Sequence, residues 1–179
     1  MFRSLKYFFN SLISDQDNID SSVEVVDKFK PAAGTILRPP RSHVLFLDID
    51  GVLHVGDYAT FSFNPILESI LFEFPQFDVI ISSNWKDSCS MDTLLEHFPE
   101  TIRDRIVGAT PTLPDYEFAR HHEIMRIVDA YKIRSFVAID DSANLFPPSC
   151  PYLFLTTKTV ALTPEVKERF IHFLRAMLN

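Results

Sequence analysis

Three short polar motifs in this sequence contain residue types that could do chemistry, and each follows a run of apolar residues. They are Asp48-Ile49-Asp50-Gly51, Ser82-Ser83-Asn84 and Asp140-Asp141. Carboxylates held together at the ends of apolar segments repel one another, by about 4 kcal/mol for two unit charges about 4 Å apart at an effective dielectric of about 20. A divalent cation that prefers oxygen ligands, Mg2+ above all, would compensate this charge. The sequence therefore predicts a metal-assisted site that these motifs build together.

The segments that carry the motifs predict an α/β fold with a doubly wound, five-stranded parallel sheet. Continuous apolar runs are typical of strands that are buried on both faces of a parallel sheet. Such strands are predicted at residues 44–48, 77–81, 105–107, 135–139 and 152–155. In doubly wound sheets the site lies at the carboxyl ends of the strands. This rule brings the three motifs to one edge of the sheet.

Helix signals occur between the predicted strands. Asn64 and Pro65 predict an N-cap and a first-turn proline, and Thr163 predicts the N-cap of the last helix. Apolar periodicity predicts further helices over residues 91–98 and 118–131. Alternating strands and helices of this kind build a sheet that is covered on both faces.

Composition limits the classes of protein to which the chain can belong. Its 179 residues predict one compact domain, and 46% hydrophobic with 23% charged residues is ordinary globular usage. A formal net charge of −7 disfavours broad nonspecific binding to a phosphate backbone. Cys89 and Cys150 form neither a C-x-x-C nor a metal-ligand pattern, which indicates free thiols in a reducing compartment. We therefore expect a cytoplasmic protein.

An N-terminal appendage, residues 1–41, precedes the domain that we predict over residues 42–179. Residues 1–14 place apolar side chains at helical spacing, with basic but no acidic residues among them. We interpret this segment as an amphipathic helix that docks on the domain or on a partner; a mitochondrial presequence and a membrane-surface anchor are the alternatives. Residues 15–27 are acidic and indicate a linker.

The motifs resemble those of the haloacid dehalogenase (HAD) superfamily of aspartate-nucleophile phosphohydrolases. VLFLDIDGVLH, IISSNW and FVAIDDS occur in the order and at the spacings of that superfamily. A basic residue after SSNW, together with Arg120 and Glu123-Ile124 before AIDD, is similar to the HAD domains of Swiss Army knife RNA repair proteins. The resemblance extends from about Val44 to the C terminus. It implies a HAD-like, Rossmannoid fold and a phosphatase.

The resemblance assigns the two carboxylates of the first motif to different steps. Asp48 would attack phosphorus and form an aspartyl-phosphate, which divides one difficult hydrolysis into two displacements. Asp50 would protonate the leaving oxygen and later deprotonate the attacking water. Dehalogenases lack a carboxylate at this second position, so its presence here favours phosphate chemistry.

The resemblance also implies a hydroxyl and a cation that hold the phosphoryl group. Ser82 or Ser83 would donate to a phosphoryl oxygen, and a one-residue shift at the strand end decides between them. The superfamily usually supplies a Lys as its third motif, but no Lys lies at the matching place. Arg120 is the best substitute, because its fork can hold two phosphoryl oxygens, and Lys86 is the second candidate.

The metal ligands follow from the same resemblance. Asp140 would complete Mg2+ coordination with Asp48 and the backbone carbonyl of Asp50, while Asp141 would ligate directly or orient a metal-bound water. The cation would offset the repulsion between the nucleophile and an anionic phosphate. We expect packing or surface roles for His54, His121 and His122. Trp85 could stack on a base, but a single aromatic side chain near a site more often serves packing.

The number of residues between the motifs limits the size of a cap over the site, and with it the kind of substrate. Residues 53–63 are long enough only for a flap hairpin with a turn at Gly56-Asp57, so the cap is minimal and the site open. An open site suits a phosphate on a macromolecule, with a nucleic-acid end as the leading partner although the charge of −7 opposes it. The alternatives are a phosphoprotein or nucleotide phosphatase, and a catalytically idle HAD fold that serves as a binding module.

Overall fold

Five parallel strands form the centre of the molecule. The structure is a computed structural model that describes residues 30–56, 59–114 and 117–178. The strands are β1 His43–Leu47, β2 Phe77–Ile81, β3 Ile106–Ala109, β4 Ser135–Asp140 and β5 Leu153–Leu155. They are arranged in the order β3-β2-β1-β4-β5, and every pairing is parallel. The predicted doubly wound, five-stranded sheet is confirmed. The predicted N-terminal helix and acidic linker lie outside the described residues.

Helices cover both faces of this sheet. They are α1 Asn64–Glu73, α2 Trp85–Ser88, α3 Met91–Glu96, α4 Glu100–Arg103, α5 Ala119–Tyr131 and α6 Pro164–Leu178, with a 3-10 turn at Ala143–Leu145. The short helices α2 and α4 were not predicted, because a single turn is too brief to show a period. None of the helices in the described part of the chain has the length and apolar character needed to cross a membrane.

Alternate residues of β1 pack into two different apolar layers. Leu45 and Leu47 belong to the layer that contains α1 and α6, whereas Val44 and Phe46 belong to the layer beneath α5. All four side chains are essentially inaccessible to solvent. Burying an aliphatic or aromatic side chain of this size stabilises the folded state by about 1.5–3 kcal/mol. The strand end, and with it the first polar motif, is therefore held rigidly.

The start of α1 differs from the prediction. Phe63 is the N-cap residue, and Asn64 is the first residue of the helix instead of its cap. The Asn64 side chain is buried and donates a hydrogen bond to the carbonyl oxygen of His97 at 2.8 Å. The prediction of an Asn64 N-cap was wrong because a tertiary contact to the end of α3 takes the side chain that would otherwise cap the helix.

The strands of the predicted flap hairpin over residues 53–63 do not form in the residues that the structure describes, and Asp57 of its predicted turn lies outside them. The described residues of this segment form no strand pairing with one another. Phe61 turns inward in the left-handed region, with φ of 49°, and its ring stacks on His97 at 4.7 Å between centroids. Burial of this large ring outweighs the strand preference of the alternating sequence. The described part of this segment therefore packs against the protein beside the first motif.

Residues 32–41 pack on the domain instead of standing apart from it. Ala32 is fully buried, and its backbone N–H donates to the carbonyl oxygen of Cys89 at 2.8 Å. Ile36 forms an antiparallel bridge to Gly108, where an added Cβ would overlap the carbonyl oxygen of Thr35. The packed unit thus includes residues that precede Ser42, and it uses the lack of a side chain at Gly108.

A buried carboxylate joins this segment to β2. The Asp78 side chain is inaccessible to solvent, and its oxygens lie 2.8 Å from Nη2 of Arg38 and 2.7 Å from Nη2 of Arg41. Burial alone would raise the pKa of Asp78, but hydrogen bonds from Arg38 and Arg41 outweigh burial and lower the pKa to about 2. The ionised form of Asp78 is therefore part of the folded state.

We expect this cluster to lose its contribution to stability in acid. A depressed pKa stabilises the fold above the unfolded value near 4, and the stabilisation disappears as the pH falls toward about 2. The free energies of unfolding of the wild type and of Asp78→Asn, measured with denaturant, should differ by about 1–2 kcal/mol more at pH 7 than at pH 2.5. The expected difference is this small because Arg38 and Arg41 are half-exposed, and solvent weakens their attraction to Asp78. A difference that does not change with pH would contradict this role.

Candidate active site

The carboxyl ends of β2, β1 and β4 form one cleft with a volume of about 250 Å³. Its lining residues come from all three predicted motifs and from the loops beside them. They are Asp48, Asp50, Ser83, Asn84, Arg120, Asp141, Ser142, Leu145 and Lys158. Because these strands are neighbours in the sheet, motifs that are far apart in the sequence meet here.

Three carboxylates at this edge are close enough to share one cation. Oxygens of Asp48, Asp140 and Asp141 all lie within 4.8 Å of one another. Burial and the neighbouring carboxylate of Asp140 raise the pKa of Asp48, and burial also raises the pKa of Asp140. In both carboxyls burial is the main cause of the raised pKa, and Arg120 lowers the pKa without cancelling that effect. The all-oxygen donor set fits Mg2+.

Arg120 reaches these carboxylates from α5. Its Nη1 lies 3.3 Å from Oδ1 of Asp48 and 3.2 Å from Oδ2 of Asp140. Its Nη2 donates to Oδ1 of Asn84 at 3.0 Å. The side chain is only 4% exposed, so the guanidinium is held at the floor of the cleft by three partners. This places it beside the predicted nucleophile, where it can meet a phosphoryl group.

Lys86, the second candidate cation, is directed elsewhere. Its Nζ lies 3.2 Å from Oε2 of Glu123 and 3.5 Å from Oδ2 of Asp87, and the side chain is 1% exposed. Glu123 also lies 4.0 Å from Nε of Arg120, and its other oxygen accepts a hydrogen bond from the backbone of Leu113. Lys86 is not among the residues that line the cleft. Lys86 therefore pairs with Glu123, which in turn lies beside Arg120.

The two serines at the end of β2 face different surroundings. Ser83 lines the cleft beside Asp48, whereas Ser82 does not. The Ser82 hydroxyl oxygen is buried and has no hydrogen-bond partner within the described part of the chain. Side chains alternate in direction along a strand, so only one of two successive hydroxyls can face the site. The geometry favours Ser83 for the predicted contact with phosphate.

Each carboxylate oxygen of Asp50 contacts a ring nitrogen of another side chain. Nε2 of His54 lies 2.8 Å from Oδ1, and Nε1 of Trp85 donates to Oδ2 at 3.0 Å. His54 is completely buried, and its ring packs edge-on against Phe61. The Asp50 side chain stands apart from the carboxylate cluster. It is therefore fixed in orientation, and its side chain, 39% exposed, can still be reached from the cleft.

Gly51 lets the chain turn sharply between the two carboxylates of the first motif and the rest of the loop. Its φ is +69°, in the left-handed region that favours glycine. A Cβ at this position would overlap the carboxylate of Asp141. The carbonyl oxygen of Gly51 accepts a hydrogen bond from the Thr156 hydroxyl at 2.9 Å. The glycine therefore allows the first and third motifs to approach each other.

Some residues of the site were assigned other roles or missed. His54 and Trp85, expected to be packing residues, both contact Asp50. Lys158 lines the cleft from the loop after β5, and the strand-end rule that found the three motifs could have found it as well. His121 is hydrogen-bonded to the Tyr152 hydroxyl at 2.6 Å and does not line the cleft.

Comparison with known proteins agrees with the geometry. Residues 44–166 match the model of a family described as the HAD domain in Swiss Army Knife RNA repair proteins. The matched range begins in β1 and ends in the first turn of α6, so it contains every motif that contributes to the cleft. No curated protein and no solved structure matches the chain.

Proposed function

Because the chain belongs to the family of HAD domains in Swiss Army Knife RNA repair proteins, we propose that it is a Mg2+-dependent phosphohydrolase with Asp48 as its nucleophile. The observation that carries the proposal is the position of Asp48, which lies 3.3 Å from the guanidinium of Arg120 and within 4.8 Å of the carboxylates of Asp140 and Asp141. A carboxylate held against both a cation and a metal-ligand cluster is equipped to meet an anionic phosphate. Family membership by itself supports a hydrolase.

In the first step an oxygen of Asp48 attacks phosphorus in line and the bond from phosphorus to the ester oxygen breaks. Asp50 gives a proton to the leaving oxygen, so the alcohol leaves in neutral form. Arg120 and the Ser83 hydroxyl hold the phosphoryl oxygens while the charge moves across them. The product on the protein is an aspartyl-phosphate at Asp48.

In the second step water attacks the phosphorus of the aspartyl-phosphate. Asp50, now ionised, takes a proton from this water, and the bond from phosphorus to the Asp48 oxygen breaks. Phosphate leaves and the carboxylate of Asp48 is restored. His54 and Trp85 keep Asp50 in one orientation through both steps, since they hold its two oxygens.

Asp48, Asp140 and Asp141 would hold Mg2+, together with the backbone carbonyl of Asp50. The cation supplies compensation for the negative charge of the nucleophile and of the phosphate. The protein contributes the spacing of the ligands, and Ser142 orients two of them. Its backbone N–H donates to Asp140 at 2.8 Å and its hydroxyl donates to Asp141 at 2.8 Å.

Calorimetry should detect this metal site. Titration of Mg2+ into the wild type should show one binding event, and Asp140→Asn should weaken it at least tenfold because a charged ligand becomes a neutral one. Asp92→Asn is the matched control, since this exposed carboxylate lies outside the cluster and its loss should leave binding unchanged. Wild-type protein that binds no Mg2+, and whose activity survives a chelator, would exclude the metal.

We propose a nucleic-acid end as the substrate, with phosphoproteins and nucleotides as alternatives. No cap domain is inserted between the motifs over the described residues, so a large substrate can reach the cleft. Lys158 and Arg120 supply local positive charge although the chain carries −7 overall. The carboxylates of the same cleft outnumber these two cations, so attraction of a phosphate to the site would depend on bound Mg2+.

A phosphate-release screen tests the proposal. The substrates are 5′- and 3′-phosphorylated oligonucleotides, nucleotides, phosphopeptides and sugar phosphates, each with and without Mg2+. We expect Mg2+-dependent release from at least one class, with oligonucleotide ends highest. Binding of these compounds without any release would point instead to an idle HAD fold that serves as a binding module.

A further inference from the structure

A second groove meets the catalytic cleft at Asp50. It has a volume of about 390 Å³ and is lined by Asp50, Asn84, Trp85, Ser88 and Cys89. Asp50 and Asn84 line both spaces, so the carboxylate of Asp50 lies on the boundary between them. Asn84 and Ser88 are exposed and Trp85 is half-buried, which leaves the groove open to a ligand from solvent.

The fixed orientation of Asp50 decides which part of a substrate comes close to this groove. Because His54 and Trp85 each hold one oxygen, the carboxylate cannot turn to follow a substrate. In an in-line displacement the leaving oxygen lies opposite Asp48, within hydrogen-bond reach of the proton donor. The group attached to that oxygen then lies on the Asp50 side of the phosphorus, next to the groove.

The walls of the groove define the chemistry of its occupant. They are mainly apolar and hold the only tryptophan in the sequence. Its described lining includes neither Lys nor Arg, whereas the catalytic cleft has Arg120 and Lys158. A second phosphate would have no cation here to balance its charge. A flat, uncharged ring would cover the apolar wall, while Asn84 and Ser88 offer polar partners to its edge.

We propose that this groove is a leaving-group subsite that binds the nucleoside of a phosphate monoester. The inference rests on the proposed phosphatase function and adds a substrate class to it. The subsite takes the uncharged, aromatic base of the leaving group, and it disfavours a further phosphate directly beside the scissile bond. The polar edge partners favour a nucleobase over a plain phenyl ring.

A pair of substrates isolates the subsite. Adenosine 5′-monophosphate and ribose 5-phosphate release the same kind of primary alcohol, but only the first carries a base. We expect kcat/KM to be about tenfold or more higher for the nucleotide, since a stacked base contributes on this scale. Ser88→Phe should fill the groove and bring the ratio of the two kcat/KM values close to one. Ala130→Phe, at an exposed position of α5, is the control for a surface ring and should change neither.

Fluorescence gives a second measurement that needs no turnover. Because Trp85 is the only tryptophan, its emission reports on the groove directly. Free adenosine should quench it in the wild type and much less in Ser88→Phe. Equal kcat/KM for the two substrates would overturn the subsite while the phosphatase stands. Quenching without hydrolysis of any ester would overturn both the phosphatase and the leaving-group role.

Discussion

Asp48→Asn should reduce phosphate release by about 10³-fold or more, because a neutral amide is a poor nucleophile toward phosphorus. The substitution keeps the shape of the side chain and removes a negative charge from a buried cluster. Burial and Asp140 raise the pKa of Asp48, which means that the metal-free fold disfavours its ionised form. Thermal unfolding of metal-free Asp48→Asn should therefore occur at a temperature no lower than that of the wild type. The assay is phosphate release at saturating Mg2+.

Detection of the covalent intermediate distinguishes the role of Asp48 from that of Asp50. Asp50→Asn keeps the nucleophile but removes the group that activates water, so an aspartyl-phosphate should accumulate with a good leaving group such as a nitrophenol. Mass spectrometry of acid-quenched protein would detect the added phosphoryl group. Asp48→Asn should show no such adduct. If Asp48→Asn keeps more than a few per cent of the activity, the covalent mechanism is wrong.

The sheet could be predicted from local sequence because its strands are continuous apolar runs. β1 and β2 carry Val, Leu, Ile and Phe without a polar break inside them, apart from Asp78. Such runs leave little choice except burial on both faces. The rule that sites lie at the carboxyl ends of strands then predicts that Asp48 and Asp140 lie close together.

The details that sequence did not determine depend on long-range packing. Whether Ser82 or Ser83 faces the cleft depends on where β2 ends, to within one residue. The contact of His54 with Asp50, four residues earlier, depends on the turn of the loop after β1, where His54 packs against a Phe61 in the left-handed conformation. The strand-end rule points to the loop after β5, but the path of that loop decides that Lys158 is the residue that lines the cleft. These details follow from the exact paths of loops, which local preferences do not fix.

Substitution of Arg120 should reduce catalysis, whereas substitution of Lys86 should reduce the stability of the fold. Arg120→Ala should cut kcat/KM by about 10²-fold or more, because it removes a charged donor from the transferring phosphoryl group. Arg120→Lys should recover only part of this loss, since one ammonium cannot replace the fork that now spans Asp48, Asp140 and Asn84. Steady-state kinetics below the unfolding temperature of each variant measures the effect.

Lys86 should affect stability and not catalysis. Its ammonium is buried against Glu123, so Lys86→Met leaves a buried carboxylate without its closest cation and should destabilise the fold by about 3–5 kcal/mol. Adding Glu123→Gln to Lys86→Met should restore much of that loss, because the pair is then removed together. In both variants kcat/KM of the folded protein should stay within about fivefold of wild type. A collapse of kcat/KM in Lys86→Met with near-normal rates in Arg120→Ala would assign the phosphoryl contact to Lys86, and Arg120 would then serve only to balance the charge of the carboxylates around it.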